Sequence, residues 1–276
     1  MDRTYETFSR DPGYVAANAR FVAGLPFDGA RRILDLACGT GTMAALERAA
    51  CPGATVVGLD RDRGALSLAR RHVGDGFACV RGSADVLPVA TASVDAVVMG
   101  NSIHMVPDTD ALLVEVRRVL RPGGLFAFNS CFYAGTFPSG TERFYHEWMR
   151  AALAFVTARD RMLRAAGKPG IRRQRGTVSR AFAERWRTPA EWGETLARHR
   201  FAVETMAEAT VVMTRSSFEA IGAYHGFASV LLAGYPVEVA CEALVASVAP
   251  ALAEVGAAEL PRGWLEVVGR VGGDVD

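Results

Sequence analysis

Short apolar runs alternate with helix-length segments between residues 31 and 130, and this alternation limits the possible folds more than any other feature. The apolar runs cover residues 33–36, 54–59, 77–80, 94–99 and 125–129, with amphipathic segments near 42–50, 63–72 and 108–120. Strands that are apolar on both faces and joined by helices are typical of a parallel sheet covered by helices on each side. The sequence therefore predicts an α/β protein with a doubly wound, mostly parallel sheet.

Local signals place the helix boundaries and the later elements. Asp62 stands where the N-cap of the second helix is expected, and Thr188 with Pro189 predicts the start of a later one. The RPGG run at 121–124 is expected to end the third helix. Beyond residue 130 we predict a helix over 141–166, a long or bulged strand over 203–214, helical structure over 216–257 and a last strand over 263–271.

The later strands resume the sheet after two helical stretches, and no linker composition divides the chain. We therefore expect one domain over 1–276. It would comprise an N-terminal helical cap (1–30), a core (31–134), a helical lid (135–188), the remaining core (189–214 and 261–272) and a second helical insertion (215–260).

Composition excludes several classes of protein. The formal charge is +1 at a pI of about 7.7, and 50% of the residues are hydrophobic, so neither a nucleic-acid binder nor a disordered chain is indicated. The N-terminus lacks the apolar core of a signal peptide, and no apolar span reaches the roughly 18 residues that a membrane crossing needs. Five scattered cysteines form no CxxC pair, so no metal site is expected. A soluble, cytoplasmic protein is expected, and the oligomeric state stays open.

The stretch ILDLACGTGTM at 33–43 places a glycine-rich turn between a strand and a helix. Such a turn lets the backbone approach a ligand, and the helix N-terminus offers free N–H groups. Asp60, 19 residues after Gly41, is placed to accept hydrogen bonds from ribose hydroxyls. These features by themselves fit a nicotinamide dinucleotide as well as other nucleosides. The alternatives are a tight turn without a ligand and, for Asp60, a helix-capping or solvated acid.

Five segments in sequence extend this pattern: ILDLACGTG, VVGLD, GSADVLP, VDAVVMGNSIHMVPD and VLRPGGLFAF. In order and spacing they resemble the class I S-adenosylmethionine-dependent methyltransferases, particularly the small-molecule type 11 group, over residues 31–130. The resemblance implies a Rossmann-like seven-stranded sheet in the order 3-2-1-4-5-7-6, with only the last strand antiparallel, under helical lid insertions. It also implies S-adenosyl-L-methionine as cofactor.

The resemblance implies a role for each matching residue in cofactor binding. Asp35 would hold the methionine end, the turn backbone would surround the sulfur and sugar, Asp60 would bind the ribose, and residues 83–85 would contact adenine. Arg61 stands where the family has an apolar residue, and it either stacks on adenine or points to solvent. The full expected set is Tyr14, Asn18, Asp35, Ala37, Cys38, Gly39, Gly41, Asp60, Arg61, Ser83, Ala84, Asp85, Asn101 and Ser102.

Six residues are candidates for catalysis or acceptor contact. His104, three residues after Asn101, could serve as a general base or only pack against the acceptor. Tyr133 and His225 are candidates from the lid, as are Tyr224, Tyr145 and His146, although each could also be a packing residue. Aromatic residues in the lid favour a small, partly apolar molecule methylated on oxygen, nitrogen or carbon; these residues are Phe132, Tyr133, Phe137, Trp148, Phe218 and Phe227.

Residues 159–187 contain ten Lys or Arg and only two Asp or Glu. This is either a solvated helix face or a site where Arg172, Arg173 and Arg175 receive an anionic acceptor group.

Three other functions remain open. They are a cyclase that uses S-adenosylmethionine without transferring its methyl group, a nicotinamide-dependent dehydrogenase and a non-catalytic binding module. No nucleic-acid or membrane partner is expected.

Overall fold

The structure is a computed structural model that describes residues 4–174 and 186–272. Seven strands in these ranges form one sheet in the order β3-β2-β1-β4-β5-β7-β6. They are β1 (Arg32–Leu36), β2 (Thr55–Asp60), β3 (Ala78–Arg81), β4 (Val94–Gly100), β5 (Leu120–Ser130), β6 (Phe201–Thr214) and β7 (Glu259–Val271). β7 is antiparallel to both neighbours, and the other pairs are parallel. The expected fold class and strand order are confirmed.

The described residues form ten α-helices. They are α1 (Thr4–Ser9), α2 (Pro12–Ala23), α3 (Thr42–Ala50), α4 (Arg63–Val73), α5 (Thr109–Val119), α6 (Glu142–Ala165), α7 (Pro189–Arg198), α8 (Arg215–Gly222), α9 (His225–Leu231) and α10 (Val237–Val255). A short 3₁₀ turn covers Ile103–Met105. The region expected to be helical over 216–257 is divided into three helices, and Pro236 immediately precedes the last of them.

The predicted helix starts are confirmed at two caps. The Asp62 carboxylate accepts hydrogen bonds from the backbone N–H groups of Gly64 and Ala65 at the start of α4. At α7, Thr188 and Glu191 form a reciprocal capping box around Pro189. Both caps satisfy donors that the first helical turn leaves unpaired.

The RPGG run ends α5 as expected, but it then enters β5 instead of forming a separate loop. Val94 pairs with Leu120 and Ala96 with Leu125, so four residues of β5 bulge out of the ladder. Pro122 lacks an N–H group and fits such an unpaired stretch.

Three clusters of buried apolar residues hold the sheet and its helices together. The strands β1 and β4 at the centre of the sheet are covered on both faces. A further cluster joins α6, α8 and α10 to the sheet through Trp148, Phe218 and Trp264. The Trp148 indole N–H donates to the Leu244 carbonyl at 2.8 Å, which ties α6 to α10. These helices therefore pack as one layer, while the domain boundaries stay a prediction.

Candidate active site

The glycine-rich turn after β1 has a left-handed backbone that few residues tolerate. The φ angles are 60° at Ala37, 51° at Gly39 and 86° at Gly41. A Cβ atom on Gly41 would lie 2.6 Å from Val73 Cγ2 and 3.1 Å from Ala69 Cβ. Glycine at 41 therefore permits both the backbone angle and the close packing of α3 on α4.

Backbone and side-chain contacts hold this turn rigidly. The Cys38 N–H donates to the Leu59 carbonyl at 3.0 Å, which joins the turn to β2. The hydroxyls of Ser9 and Thr40 lie 3.1 Å apart, which brings the end of α1 onto the turn. Cys38 itself is buried, and burial raises the pKa of its thiol, so it packs in the site as a neutral group.

Asp60 ends β2 beside the turn. Its two carboxylate oxygens accept hydrogen bonds from the backbone N–H groups of Gly39 at 2.9 Å and Asp62 at 2.8 Å. Each oxygen keeps a second lone pair, so a ligand hydroxyl can still bind. The helix cap at this position is Asp62, and the structure therefore does not support the capping alternative for Asp60.

Asp35 lies at the floor of the site as a fully buried carboxyl group. Neither of its oxygens has a hydrogen-bond partner. Burial raises its pKa to about 8, the nearby Ala44 backbone lowers it in part, and the charge of Asp60 raises it further. Glu47, on α3, is also fully buried with unpaired oxygens, and burial together with Asp35 raises its pKa. The two acids therefore form a buried pair that a cation could stabilise.

Three asparagines connect the N-terminal helix to the ends of β4 and β5. The Asn129 side-chain amide donates to Asn18 Oδ1 at 2.8 Å, and its oxygen accepts from the Asn101 N–H at 2.8 Å. Asn101 has a φ of 45°, and its own oxygen accepts from the Cys131 N–H at 2.9 Å. Asn18 Nδ2 and the adjacent Ser102 Oγ are buried and have no partner. The network thus presents unsatisfied polar atoms at the carboxyl edge of the sheet.

Tyr14 covers this region from α2. Its ring packs 4.8 Å from Phe8 and 6.0 Å from Trp264, measured between ring centroids. Asp11 caps α2 by accepting from the Tyr14 N–H, and it also accepts from the Ser217 hydroxyl at 2.9 Å. Contacts from both the sheet and α8 therefore position the helix that carries Tyr14 and Asn18.

The loop expected to bind adenine follows β3. Ser83 and Asp85 are exposed and Ala84 is half-buried. The Gly82 N–H donates to the Asp60 carbonyl at 3.1 Å, which places the loop next to the ribose-binding candidate. The Arg61 side chain is exposed beside this loop, and both sequence-based alternatives for it stay predictions.

His104 lies beyond β4 against the lid. Its Nδ1 is 3.1 Å from the Ser130 hydroxyl, and its ring is 4.2 Å from the Phe132 ring. Burial, and then the positive charge of Arg262, lowers its pKa to about 3. The imidazole is therefore neutral near pH 7, and it is a weaker proton acceptor than an unperturbed histidine.

The two lid candidates differ in their surroundings. The Tyr133 hydroxyl donates to Glu208 at 2.7 Å, and burial and this bond raise its pKa. Tyr133 thus links β5 to β6 as a neutral phenol. His225 begins α9 at intermediate burial, and Phe227 of that helix lies 6.1 Å from the Phe132 ring. Tyr145 is half-buried and near Arg262, whereas His146 is exposed.

The arginines that the sequence offers for binding an anionic acceptor group are not among the buried residues described above. Arg172 and Arg173 are exposed, and Arg173 donates to the Ala233 carbonyl at 3.0 Å and lies over the Tyr235 ring. Arg175 lies outside the described residues.

Sequence reasoning missed Asn129, Glu47 and Arg262. The polar Asn129 at the end of an apolar strand was a usable signal for the first. Glu47 lies within an amphipathic helix, and its position in that pattern does not indicate that the side chain is buried. The burial of Arg262 depends on how β7 lies in the sheet.

The donor set fits an adenosine-bearing cation. Buried polar atoms usually have hydrogen-bond partners, and exceptions mark places where a ligand or water binds. Within the described residues, Asp35 near the end of β1, Ser102 after β4 and Asn18, bonded to the end of β5, all have unpartnered buried atoms. The adjacent carboxylates of Asp35 and Asp60 suit a positively charged ligand with ribose hydroxyls.

No group of three metal-ligating side chains occurs in residues 4–174 and 186–272. In the same ranges every helix is too short or too polar to cross a bilayer.

The glycine turn, the acid that ends β2 and the 3-2-1-4-5-7-6 sheet define a Rossmann-like nucleoside-binding protein. Residues 34–128 match the family model described as a methyltransferase domain. They are therefore a methyltransferase domain, on the fold of the class I S-adenosylmethionine-dependent methyltransferases. S-adenosylmethionine is the methyl donor that this family and fold bind.

Similar proteins agree with this assignment. A ubiquinone/menaquinone biosynthesis C-methyltransferase of Desulfotalea psychrophila is 42% identical over 107 residues, 38% of this chain and 44% of that protein. A malonyl-[acyl-carrier protein] O-methyltransferase of Methylococcus capsulatus is 35% identical over 161 residues, 55% of this chain and 56% of that protein. The chain thus spans about half the length of these relatives.

A solved structure extends the similarity to the whole fold. An S-adenosylmethionine-dependent methyltransferase of Mesorhizobium loti has a TM-score of 0.51 at 22% identity, covering 93% of this chain and 99% of that one. At this identity the similarity concerns the fold alone.

Proposed function

We propose that the protein transfers the methyl group of S-adenosylmethionine to an oxygen, nitrogen or carbon atom of a small, partly apolar molecule. The observation that carries this proposal is the set of unpartnered buried polar atoms of Asn18, Asp35 and Ser102 at the carboxyl edge of the central strands. The methyltransferase domain over 34–128 and the C- and O-methyltransferases among the similar proteins support it.

Each part of the site has a proposed task in holding the cofactor. Asp35 and Asn18 face the methionine end, where an ammonium group would neutralise the buried carboxylate. The backbone of 37–41 surrounds the sugar, Asp60 binds the ribose hydroxyls, and residues 83–85 line the adenine. Asn101 and Ser102 lie beside the sulfonium. When bound, the cofactor supplies a methyl group that is already activated for displacement.

The protein's own contribution would be to align the acceptor and exclude water. Aromatic residues of α6, α8 and α9 form the apolar layer over the carboxyl edge of β4 and β5. His104 is neutral and lies 3.1 Å from the Ser130 hydroxyl, so it can orient an acceptor or accept its proton. Tyr133 and Glu208 hold the start of the lid against β6, which makes Tyr133 a positioning residue.

Calorimetric titration with S-adenosylmethionine and with NAD tests the cofactor. We expect binding of the first and at least tenfold weaker binding of the second; tighter binding of NAD would overturn the proposal. Release of S-adenosylhomocysteine during turnover then separates methyl transfer from cyclisation without transfer. A small-molecule acceptor and a cytoplasmic location belong to the same proposal.

A further inference from the structure

Arg262 is an arginine buried in the interior of the protein. It lies near the start of β7 and is 1% exposed. Its Nη2 donates to the Cys131 carbonyl at 2.8 Å, and its Nη1 lies 3.4 Å from the Tyr145 hydroxyl. Cys131 directly follows β5, so the guanidinium lies at the carboxyl edge of the sheet, on the side where ligands of open α/β sheets bind.

This buried cation has no anionic partner among the described residues. No Asp or Glu of residues 4–174 and 186–272 forms an ion pair with Arg262, and its Nε has no hydrogen-bond partner. Its neighbours are instead the rings of Phe132, Phe137 and Tyr145, at 5.1, 5.4 and 6.0 Å from the guanidinium carbon. A guanidinium stays charged in proteins, and a buried charge normally has a partner of opposite sign.

Another arginine of the same strand has such a partner. Arg270 donates to Glu204 at 2.8 Å. Arg20 also pairs with a β7 residue, Glu266, at 2.6 Å. Carboxylates therefore do pair with arginines along β7. Of the two arginines in this strand, the buried Arg262 is the one without a carboxylate partner among the described residues.

Arg262 is also next to the residues proposed to face the methyl group. The Phe132 ring contacts both groups, at 5.1 Å from the guanidinium carbon and 4.2 Å from the His104 ring. The Arg262 charge is the second cause, after burial, of the lowered pKa of His104. His104 in turn follows Asn101 and Ser102 at the end of β4. A group bound to Arg262 would thus lie close to the acceptor position.

We infer that Arg262 recognises the methyl acceptor by binding its carboxylate, while the apolar body of the acceptor packs against Phe132 and Phe137. This inference rests on the proposed methyl transfer and specifies its substrate class. A carboxylate matches the planar donor fork of a guanidinium. A single arginine, with no second Lys or Arg among its described contacts, suits a group with one negative charge better than a phosphate dianion.

The charge of Arg262 also acts on His104. An acceptor carboxylate would compensate the charge of Arg262 and so remove the smaller of the two causes that lower the pKa of His104, while burial, the larger cause, would remain.

The test uses the full chain with S-adenosylhomocysteine bound, so that no turnover occurs. Octanoate, decanoate and 4-phenylbutanoate are titrated by calorimetry, each beside its methyl ester. We expect at least one carboxylate to bind about tenfold or more tightly than its ester, because a hydrogen bond to a charged group contributes that much. If no carboxylate binds, or if esters bind equally well, the inference is wrong.

The variant Arg262→Met identifies the residue responsible, with Arg270→Met as the matched control. We expect Arg262→Met to lose the preference for the carboxylate, to keep its affinity for S-adenosylhomocysteine, and to unfold at the same temperature or higher, because it removes an uncompensated buried charge. An unchanged preference for the carboxylate would overturn the inference. A lowered unfolding temperature with unchanged ligand binding would show that Arg262 only stabilises the fold, and this would also overturn the inference.

The outcomes separate this inference from the proposed function. Failure to bind S-adenosylhomocysteine would contradict the cofactor site itself. Binding of that molecule without any preference for carboxylates would contradict only the role of Arg262. The wild-type comparison of acid with ester decides the inference even if the Met variant does not fold.

Discussion

The Asn129 side chain donates a hydrogen bond to Asn18 Oδ1 at 2.8 Å, across 111 residues of sequence. Both side chains are fully buried. This bond ties α2 to the end of β5, and the second amide atom of Asn18 is left for a ligand. The N-terminal helix is therefore a wall of the proposed cofactor site.

We predict that Asn18 and Asn129 act as a unit. Asn18→Ala and Asn129→Ala should each lower the free energy of unfolding by about 1–3 kcal/mol, because a buried partner is left unsatisfied. The double variant should cost less than the sum, with a coupling of about 0.5–1.5 kcal/mol. Urea denaturation of the four proteins measures this, and additive effects would show that the bond contributes nothing.

Asp60 and Asp62 provide a matched pair of acids. Asp60→Asn should weaken S-adenosylmethionine binding by about 10–100-fold, because a charged hydrogen-bond acceptor is lost. Asp62→Asn should leave binding and stability nearly unchanged, since Asn caps a helix as well as Asp does. Calorimetric titration of both variants checks the prediction. Equal losses of affinity would indicate that the ribose contact of Asp60 is wrong.

The buried Asp35 predicts how stability depends on pH. Burial raises its pKa in the folded protein to about 8, above the value of 3.8 for an exposed aspartate. A proton is therefore bound more tightly in the folded state, and its stabilising effect is lost as pH rises from about 4 through 8. The ligand-free protein should become less stable over this range. Asp35→Asn should reduce the dependence and leave the part due to Glu47, whose pKa burial also raises, which thermal unfolding at several pH values measures.

The affinity for a cationic ligand should change with pH in the opposite direction to the stability, because the cation binds the ionised form of Asp35. If S-adenosylmethionine requires the ionised carboxylate, its affinity should increase by up to about tenfold per pH unit below pH 8. Titrations between about pH 5.5 and 6.5 avoid deprotonation of the ligand's own amine. A flat pH profile for the wild type would show that Asp35 is not neutralised by the ligand.

Gly41 should be essential to the turn. Gly41→Ala places a Cβ atom 2.6 Å from Val73 Cγ2 at a φ of 86°, and we expect a loss of about 1–3 kcal/mol of stability with weaker cofactor binding. Gly53→Ala is the control, because nothing lies within 4 Å of its Cβ position. A similar loss in both variants would point to a general effect of removing glycine.

Local patterns were sufficient for much of the cofactor half of the site. The alternation of strands and helices, the glycine spacing at 39 and 41 and the cap at Asp62 all depend on neighbours within a few residues. The sequence could therefore predict β1 to β4, the helices α3 and α4 between them, and the position of Asp60. The bulge at 121–124 was not predicted, because proline and glycine signal a break without specifying its pairing.

The sequence by itself determined the succession of strands and helices along the chain, the glycine turn and the acids at the ends of β1 and β2, since these depend on local spacing; the spatial strand order was implied by the resemblance to the methyltransferases. Only the tertiary structure decided that Asn129 meets Asn18 and that Arg262 lies buried against Cys131, 131 residues earlier in the chain. Those contacts follow from the antiparallel register of β7 on β5 and from the packing of α2 over the sheet. Burial and the lack of a counter-charge are properties of that packing, so no periodicity in the chain could reveal them.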